Sequence, residues 1–331
     1  MKSALNLFDL NYVDVLLALA LELIALVEVE QVSIDDKIVQ HVSKFAQDIT
    51  EETETGQAFK AEVGAEVSGG VTALLTSFGA KLSSKFAAED VTRETVRQKV
   101  SHRITDLLES IDFLAKGIEK STGKRVLAIV EDLDKADLET AKTIFCNHAM
   151  SLAAPSISAI YTFPTALRHD NEFTNIKSTF PDPQVVPNIK TADRNESPYE
   201  PGRQVLRSLL LRRVEEDLIS DGALDRLISL SSGIPRELLA LAWRAALEGL
   251  KAKSNVIDIA QVELAKDAEL RTYQTILSKN QLQALRQVRK SKQINNDDDH
   301  RQLLQNLSVL EFRNTTLWYD VHPVVRSLID G

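Results

Sequence analysis

Cysteine is almost absent from the 331 residues: Cys146 is the single one, which excludes an internal disulfide framework and a cysteine-based zinc cluster and fits a reducing compartment. Histidine is scarce as well, and the six at 41, 102, 148, 169, 300 and 322 show no metal-ligand spacing. No Gly-x-Ser-x-Gly elbow occurs, so a serine-hydrolase reading has no starting point. Positive charge is in deficit, with 39 Lys and Arg against 48 Asp and Glu, a net charge of −9. That balance argues against a protein that coats nucleic acid or an anionic membrane by bulk charge, and leaves room only for a local basic patch. The longest apolar run, Val15 to Val27, contains Glu22 and is shorter than the ~20 residues a spanning helix needs, so it reads as a buried helix. Lys2 is followed by no small-residue cleavage pattern, and a cytoplasmic protein with no leader is expected.

What remains is an ordinary globular composition, 44% hydrophobic and 26% charged, long enough for two domains or one core with appendages. Tyr12 to about Glu30 is helical by its Leu and Ala content, and Asp35 to Gln47 continues as an amphipathic helix. From Glu51 to Asp90 the texture shifts to Glu51-Glu52-Thr53-Glu54-Thr55-Gly56, Gly64 and Ser68-Gly69-Gly70, predicting a flexible insertion around one short helix near Val71 to Phe86. Thr92 to Lys120 has apolar residues at helical spacing, and Gly123 supplies its stop. Val126 to Val130 is all apolar, as in a strand covered on both faces; a helix over Leu138 to Leu152 and a second buried strand over Ile157 to Phe163 follow. Gln184-Val185-Val186 is a third candidate strand. Strands alternating with helices predict an α/β fold with a parallel sheet. Prolines 181, 183, 187, 198 and 201 mark a loop-rich exit, and helices are expected over Arg203–Leu218, Leu224–Leu230, Pro235–Leu250 and Ile257–Ser278. The end reads as helices over Asn280–Val288 and Asp298–Leu307, a hairpin over Val309–Val321 around Asn314-Thr315, then Pro323–Ile329: the order of a winged-helix module. No repeat of fixed period is present.

The local signal richest in chemistry is the apolar strand running into Glu131-Asp132-Leu133-Asp134-Lys135. Acids at the carboxyl end of a parallel strand sit where open α/β sheets bind ligands, one able to hold Mg²⁺ while its neighbour polarises water. Acids also end strands simply as turn residues or N-caps, a role open to Asp134 or Asp137 before the Leu138 helix. A second signal is Ser231-Ser232-Gly233-Ile234-Pro235-Arg236: Gly233 breaks one helix, Pro235 starts the next, and Arg236 is presented at its first turn, where it can reach phosphate oxygens or merely be solvated.

Together these residues resemble P-loop ATPases of the AAA and STAND type. The strand with Glu131 and Asp132 is similar to the Walker B strand, which implies that Glu131 is the metal-side acid, for Mg, and Asp132 the water-side acid. The family usually has Asp where Glu131 stands. Ser158 to Pro164 resembles the sensor 1 strand, with Thr162 as its polar residue facing a γ-phosphate or water; an ordinary β-branched strand residue is the equal alternative. Arg236 resembles sensor 2, and Arg168, Arg203, Arg212 and Arg213 are undiscriminated arginine-finger candidates. Trp318 to Val325 resembles the winged-helix end, with His322 more in keeping with a structural turn than with a ligand. The resemblance implies an incomplete P-loop-type parallel sheet flanked by helices over 1–200 (insertion 51–90), a helical lid over 201–262 and a winged-helix-like module over 263–331. It also implies ATP and Mg as cofactors and ATP hydrolysis as the activity.

Against that stands a missing part: no Gly-x-x-x-x-Gly-Lys-Ser/Thr occurs. Gly117 to Lys124 has one residue too many between its glycines, Arg125 where a hydroxyl belongs, and precedes a strand instead of following one. In the family the P-loop lies ahead of these elements, so a truncated chain lacking on the order of 30 residues is the expectation, with a pseudo-ATPase scaffold as the competitor. The first function reading is a nucleotide-dependent switch that binds weakly or not at all as it stands, with a protein partner or self-assembly. The second is a DNA-binding winged-helix regulator using Arg286, Arg289, Lys290 and Lys292, countered by the acidic run Asp297-Asp298-Asp299 at the start of the presumptive reading helix. The third is a protein-interaction scaffold. No membrane role is expected.

Overall fold

The computed structural model describes residues 9–50, 80, 90–313 and 316–330, and the chain divides into two compact units: residues 1–167 with 171–183, and 168–170 with 184–331. The fold is α/β and mostly helical, with one parallel and one antiparallel pair of strands. The insertion expected over 51–90 and its helix near Val71 to Phe86 lie outside the described residues, Ala80 and Asp90 excepted.

In the first unit, α1 (Tyr12–Val29) starts at a capping box: the Asn11 side chain accepts from Val13 N at 3.1 Å, and Asp14 accepts from Asn11 N at 2.8 Å. Its Leu-rich turns are buried nearly all round, so it forms the centre of a bundle with α2 (Asp36–Thr50), α3 (Asp90–His102) and α4 (Ile104–Thr122). The single helix expected over Thr92–Lys120 is two. At Arg103 the backbone leaves the helix (φ −122°, ψ 31°), and the Arg103 guanidinium pairs with Asp48 of α2. Gly123 ends α4 in the left-handed region at φ +69°, as its sequence position predicts.

Strands β1 (Leu127–Val130) and β2 (Ser158–Tyr161) pair in parallel, Leu127 opposite Ser158 and Ile129 opposite Ile160. Val126 and Ala128 are buried, and Val130 and Tyr161 pack on the helical core. The opposite face is open: Leu127 is 55%, Ile129 59% and Ile160 53% exposed. The expectation of strands covered on both faces is therefore corrected, since one face only is covered. Between the strands, α5 (Leu138–Lys142) and α6 (Ala149–Ala153) flank a π-helical turn at Thr143–Asn147 that breaks the predicted Leu138–Leu152 helix. The widened turn frees the Cys146 carbonyl, which accepts from Asn175 Nδ2 at 3.3 Å, just beyond the start of α7 (Phe173–Thr179). Gln184-Val185-Val186, expected as a third strand, is irregular, with Val186 exposed.

The second unit is built from α8 (Glu200–Leu211), α9 (Asp221–Ser231), α10 (Pro235–Lys251) and α11 (Ile259–Ile276), followed by α12 (Lys279–Ser291), α13 (Asp298–Gln305) and the hairpin β3 (Val309–Arg313) and β4 (Leu317–Val321). Ser278 and Asp297 cap α12 and α13 through Gln281 N and His300 N. The hairpin is held by Phe312 stacked on Trp318 at 4.4 Å and by Tyr319 N donating to Lys292 O at 3.0 Å. Its turn, Asn314-Thr315, lies outside the described residues. The segment Pro323–Ile329, expected as a helix, is a short 3₁₀ turn at Arg326–Leu328.

Candidate functional site

At the carboxyl end of β1 the chain turns sharply. Asp132 adopts φ +70°, a left-handed conformation that a non-glycine residue enters at a cost and Asp tolerates better than most. Its carboxylate pairs with Lys135 Nζ at 2.5 Å across the 3₁₀ turn Leu133–Lys135. Glu131 is exposed and has no ion-pair partner among the described residues. One residue beyond β2, Thr162 N donates to Val130 O at 3.1 Å, and Thr162 Oγ1 donates to Asp134 Oδ1, also at 3.1 Å. The parallel pairing thus brings Thr162 against the acidic turn, 28 residues earlier in the chain. Asp137 is the N-cap of α5, accepting from Thr140 N at 3.0 Å; burial pushes its carboxyl up, and the hydrogen bonds from Thr140 and Glu139 outweigh this and hold it below the usual carboxylate range.

Chemically this is an exposed acidic corner with one hydroxyl. Among the described residues no three His, Cys, Asp or Glu side chains converge as a metal-binding group, so Glu131 would hold Mg only with ligands supplied by a bound phosphate or water. Among the described residues the glycines give no phosphate cradle. A Cβ on Gly117 would stand 2.8 Å from Ile34 Cδ1, on Gly202 1.7 Å from the Lys190 carbonyl, on Gly222 2.9 Å from Ile259 and on Gly233 1.8 Å from the Ile189 carbonyl. All four are packing glycines, and Gly117 to Lys124 is a helix end. The described residues therefore do not fit the triphosphate of ATP by themselves.

In the second unit, Ser232 (φ +50°) and Gly233 (φ +86°) turn the chain out of α9, and Pro235 opens α10. Arg236 follows, its side chain 69% exposed and, among the described residues, ion-paired with Glu237 alone, at 4.0 Å. Of the other arginines considered, Arg168 is committed to Glu311 (2.9 and 3.2 Å) and Arg203 to Ser229 and Asp225 (3.1 and 3.5 Å). Arg212 and Arg213 lie exposed at the end of α8, Arg213 donating to the Leu209 carbonyl.

The four cations Arg286, Arg289, Lys290 and Lys292, on α12 and at its C-cap, separate into two pairs. Arg286 and Lys290 are exposed. Arg289 bonds Glu196 and Asp320, and Lys292 reaches Asp320 at 2.7 Å and Glu196 at 3.6 Å, so these two serve the packing of their own unit. Glu196 is held well down, to about 2, first by the hydrogen bond from Arg289 and then by the charges of Arg326, Arg289 and Lys292. Sequence reading missed Glu196 and Asp320. It missed equally the cluster in which Glu311 takes Arg168, Arg313 (2.7 Å) and His169 (3.4 Å), partners up to 143 residues away. Burial pushes Glu311 up, but His169, Arg313 and Arg168 bring it down to about 2. His322 is buried, with Nδ1 accepting from Val324 N at 3.3 Å and its ring stacked on Tyr273 at 6.2 Å; burial pushes it down to about 4.

Comparison with protein-family models, with characterised proteins and with solved structures finds no match to this chain. Among the described residues no helix is long and apolar enough to cross a membrane.

Proposed function

We propose that this chain is a nucleotide-dependent switch subunit of the AAA/STAND type, carrying an incomplete P-loop-type sheet, a helical lid and a winged-helix-like module, and acting through a protein partner or self-assembly. The observation that carries the reading is the corner where Glu131, Asp132 and Asp134 follow one parallel strand and Thr162 follows its neighbour, hydrogen-bonded at 3.1 Å. Arg236, exposed at the start of α10 in the second unit, is the cation that the resemblance assigns to phosphate oxygens. The resemblance assigns Glu131 to the metal side and Asp132 to the water side of such a site; in this chain Asp132 is paired with Lys135 and Thr162 with Asp134, so Glu131 is the acid left to meet a ligand.

No Gly-x-x-x-x-Gly-Lys-Ser/Thr occurs in the 331 residues, so the chain alone is expected to bind Mg-ATP weakly or not at all by isothermal titration. A form extended by the codons ahead of Met1 is expected to bind it, with affinity reduced about tenfold or more by Glu131→Ala or Arg236→Ala. Unchanged affinity in both variants overturns the assignment of these residues. An in-frame stop ahead of Met1 with no Gly-x-x-x-x-Gly-Lys-Ser/Thr overturns the truncation. The lack of a cradle favours a second reading, an interaction scaffold without turnover, for which no form binds ATP. DNA binding is the weakest reading, because only Arg286 and Lys290 of its four cations are left exposed.

A further inference from the structure

Strand alternation puts Arg125, Leu127, Ile129 and Glu131 in one phase, and the register adds Ile160 to the same face. A parallel sheet is normally covered on both faces, so this one has an apolar surface to fill, with a cation at its amino end and a carboxylate at its carboxyl end. On α10, Arg236, Trp243 and Leu250 recur every seventh residue along one stripe, Trp243 64% and Leu250 72% exposed. The two surfaces match in length, and in charge at the Arg236–Glu131 end; at the other end Lys251 is neutralised by its own Glu248 at 2.6 Å. Arg125 to Glu131 spans about 20 Å at a strand's rise, and Arg236 to Leu250 about 21 Å at a helix's rise. Laid antiparallel to β1, α10 would set Arg236 and the positive end of its dipole on Glu131, Trp243 over Ile129 and Ile160, and its carbonyl end by Arg125.

We propose that α10 of one copy of this chain docks on the open sheet face of a second copy, giving a head-to-tail self-association. The contact is heterologous: each copy offers two different surfaces, so association propagates to a ring or filament and does not stop at a symmetric dimer. One helix on two strands is a small interface, which makes the assembly concentration-dependent and reversible. The inference does not depend on nucleotide.

The test is sedimentation velocity of the full chain without nucleotide, from micromolar to near-millimolar concentration. The wild type is expected to grow in mass with concentration beyond a dimer; a monomer throughout overturns the proposal. Ile129→Asp removes the sheet surface and Trp243→Asp the helix surface, so each alone is expected to remain monomeric, with association weakened about tenfold or more. Mixed, the two retain one complementary pair and are expected to form a 1:1 heterodimer that grows no further, which also shows that both variants are folded. Two variants that still self-associate, or a mixture that stays monomeric, overturn it. Exchanging the charges, Glu131→Arg with Arg236→Glu, is expected to restore association that either change alone reduces; failure of that rescue overturns the antiparallel orientation. Loss of ATP binding in an extended form leaves these outcomes unaffected, so the two readings fail separately.

Discussion

The backbone N–H of Ile189 donates to the Gly233 carbonyl over 3.0 Å, and the Ile189 carbonyl lies 1.8 Å from where a Cβ on Gly233 would stand. Gly202 meets the next residue in the same way, at the Lys190 carbonyl. The segment at 189–190 is thus threaded between two glycines, one in α8 and one in the turn that launches α10, and it fixes where Arg236 emerges. Gly233→Ala meets both a φ of +86° and a backbone atom, and is expected to destabilise the second unit by about 2 kcal/mol or more in urea unfolding. A loss under about 0.5 kcal/mol means that the turn is not locked as described.

Arg97 and Asp14 join α3 to α1 through two hydrogen bonds, Nε to Oδ1 at 2.9 Å and Nη2 to Oδ2 at 2.5 Å, with both side chains almost fully buried. Arg97 also reaches Asp9 at 3.0 Å, whereas Asp14, 2% exposed, has no other cation among the described residues, so taking away Arg97 strands the Asp14 carboxylate in an apolar bundle. Arg97→Met is expected to cost about 3–5 kcal/mol in the unfolding of the first unit, and Arg97→Met with Asp14→Leu to recover most of it. If the double variant is as unstable as the single, the pair gives more than mutual neutralisation.

Much of this fold is legible in periodicity. Tyr12–Val29, the Gly123 stop and the β3–β4 hairpin lie where Leu/Ala content, left-handed glycine and alternation put them. The breaks are harder to read. Apolar spacing runs in phase through Arg103, and nothing local announces that its guanidinium is drawn to Asp48, 55 residues back. The π-helical turn at Thr143–Asn147 answers to Asn175, again outside the local pattern. An apolar strand reads alike whether one face or two are covered, so the exposure of Ile129 was not readable from Val126–Val130. At the candidate site the acids and Arg236 stand out by residue type, whereas the pairing of Thr162 with Asp134 comes only from the sheet register.

Glu311 is where Arg168 and His169 from distant sequence meet Arg313 of the same strand, and its carboxyl is held at about 2. A carboxyl lowered from its unfolded value gives stability that is complete above about 4.5 and is lost as pH falls toward 2. Glu311→Gln leaves Arg168 and Arg313 without their anion and is expected to cost about 2–4 kcal/mol at neutral pH, with a flatter acid limb below 4.5. An equal acid limb in both proteins assigns that limb to other groups, Glu196 first among them.

His322 sets a different window. Its folded value near 4 lies below the ordinary 6.5, because burial disfavours the imidazolium and Arg326 adds repulsion. The unfolded chain takes up the proton first, so stability is full above about 6.5, falls as pH drops toward 4, and is flat below. The full penalty is about 3 kcal/mol. His322→Asn keeps an acceptor for Val324 N–H and does not titrate, so it is expected to abolish the slope between pH 6.5 and 4 in urea midpoints while losing some stability at neutral pH through the lost stacking on Tyr273. That window lies above the range in which Glu311 and Glu196 titrate, so their acid limb is separable from it. A slope that survives in His322→Asn removes His322 as its source, and the buried imidazole then serves packing alone.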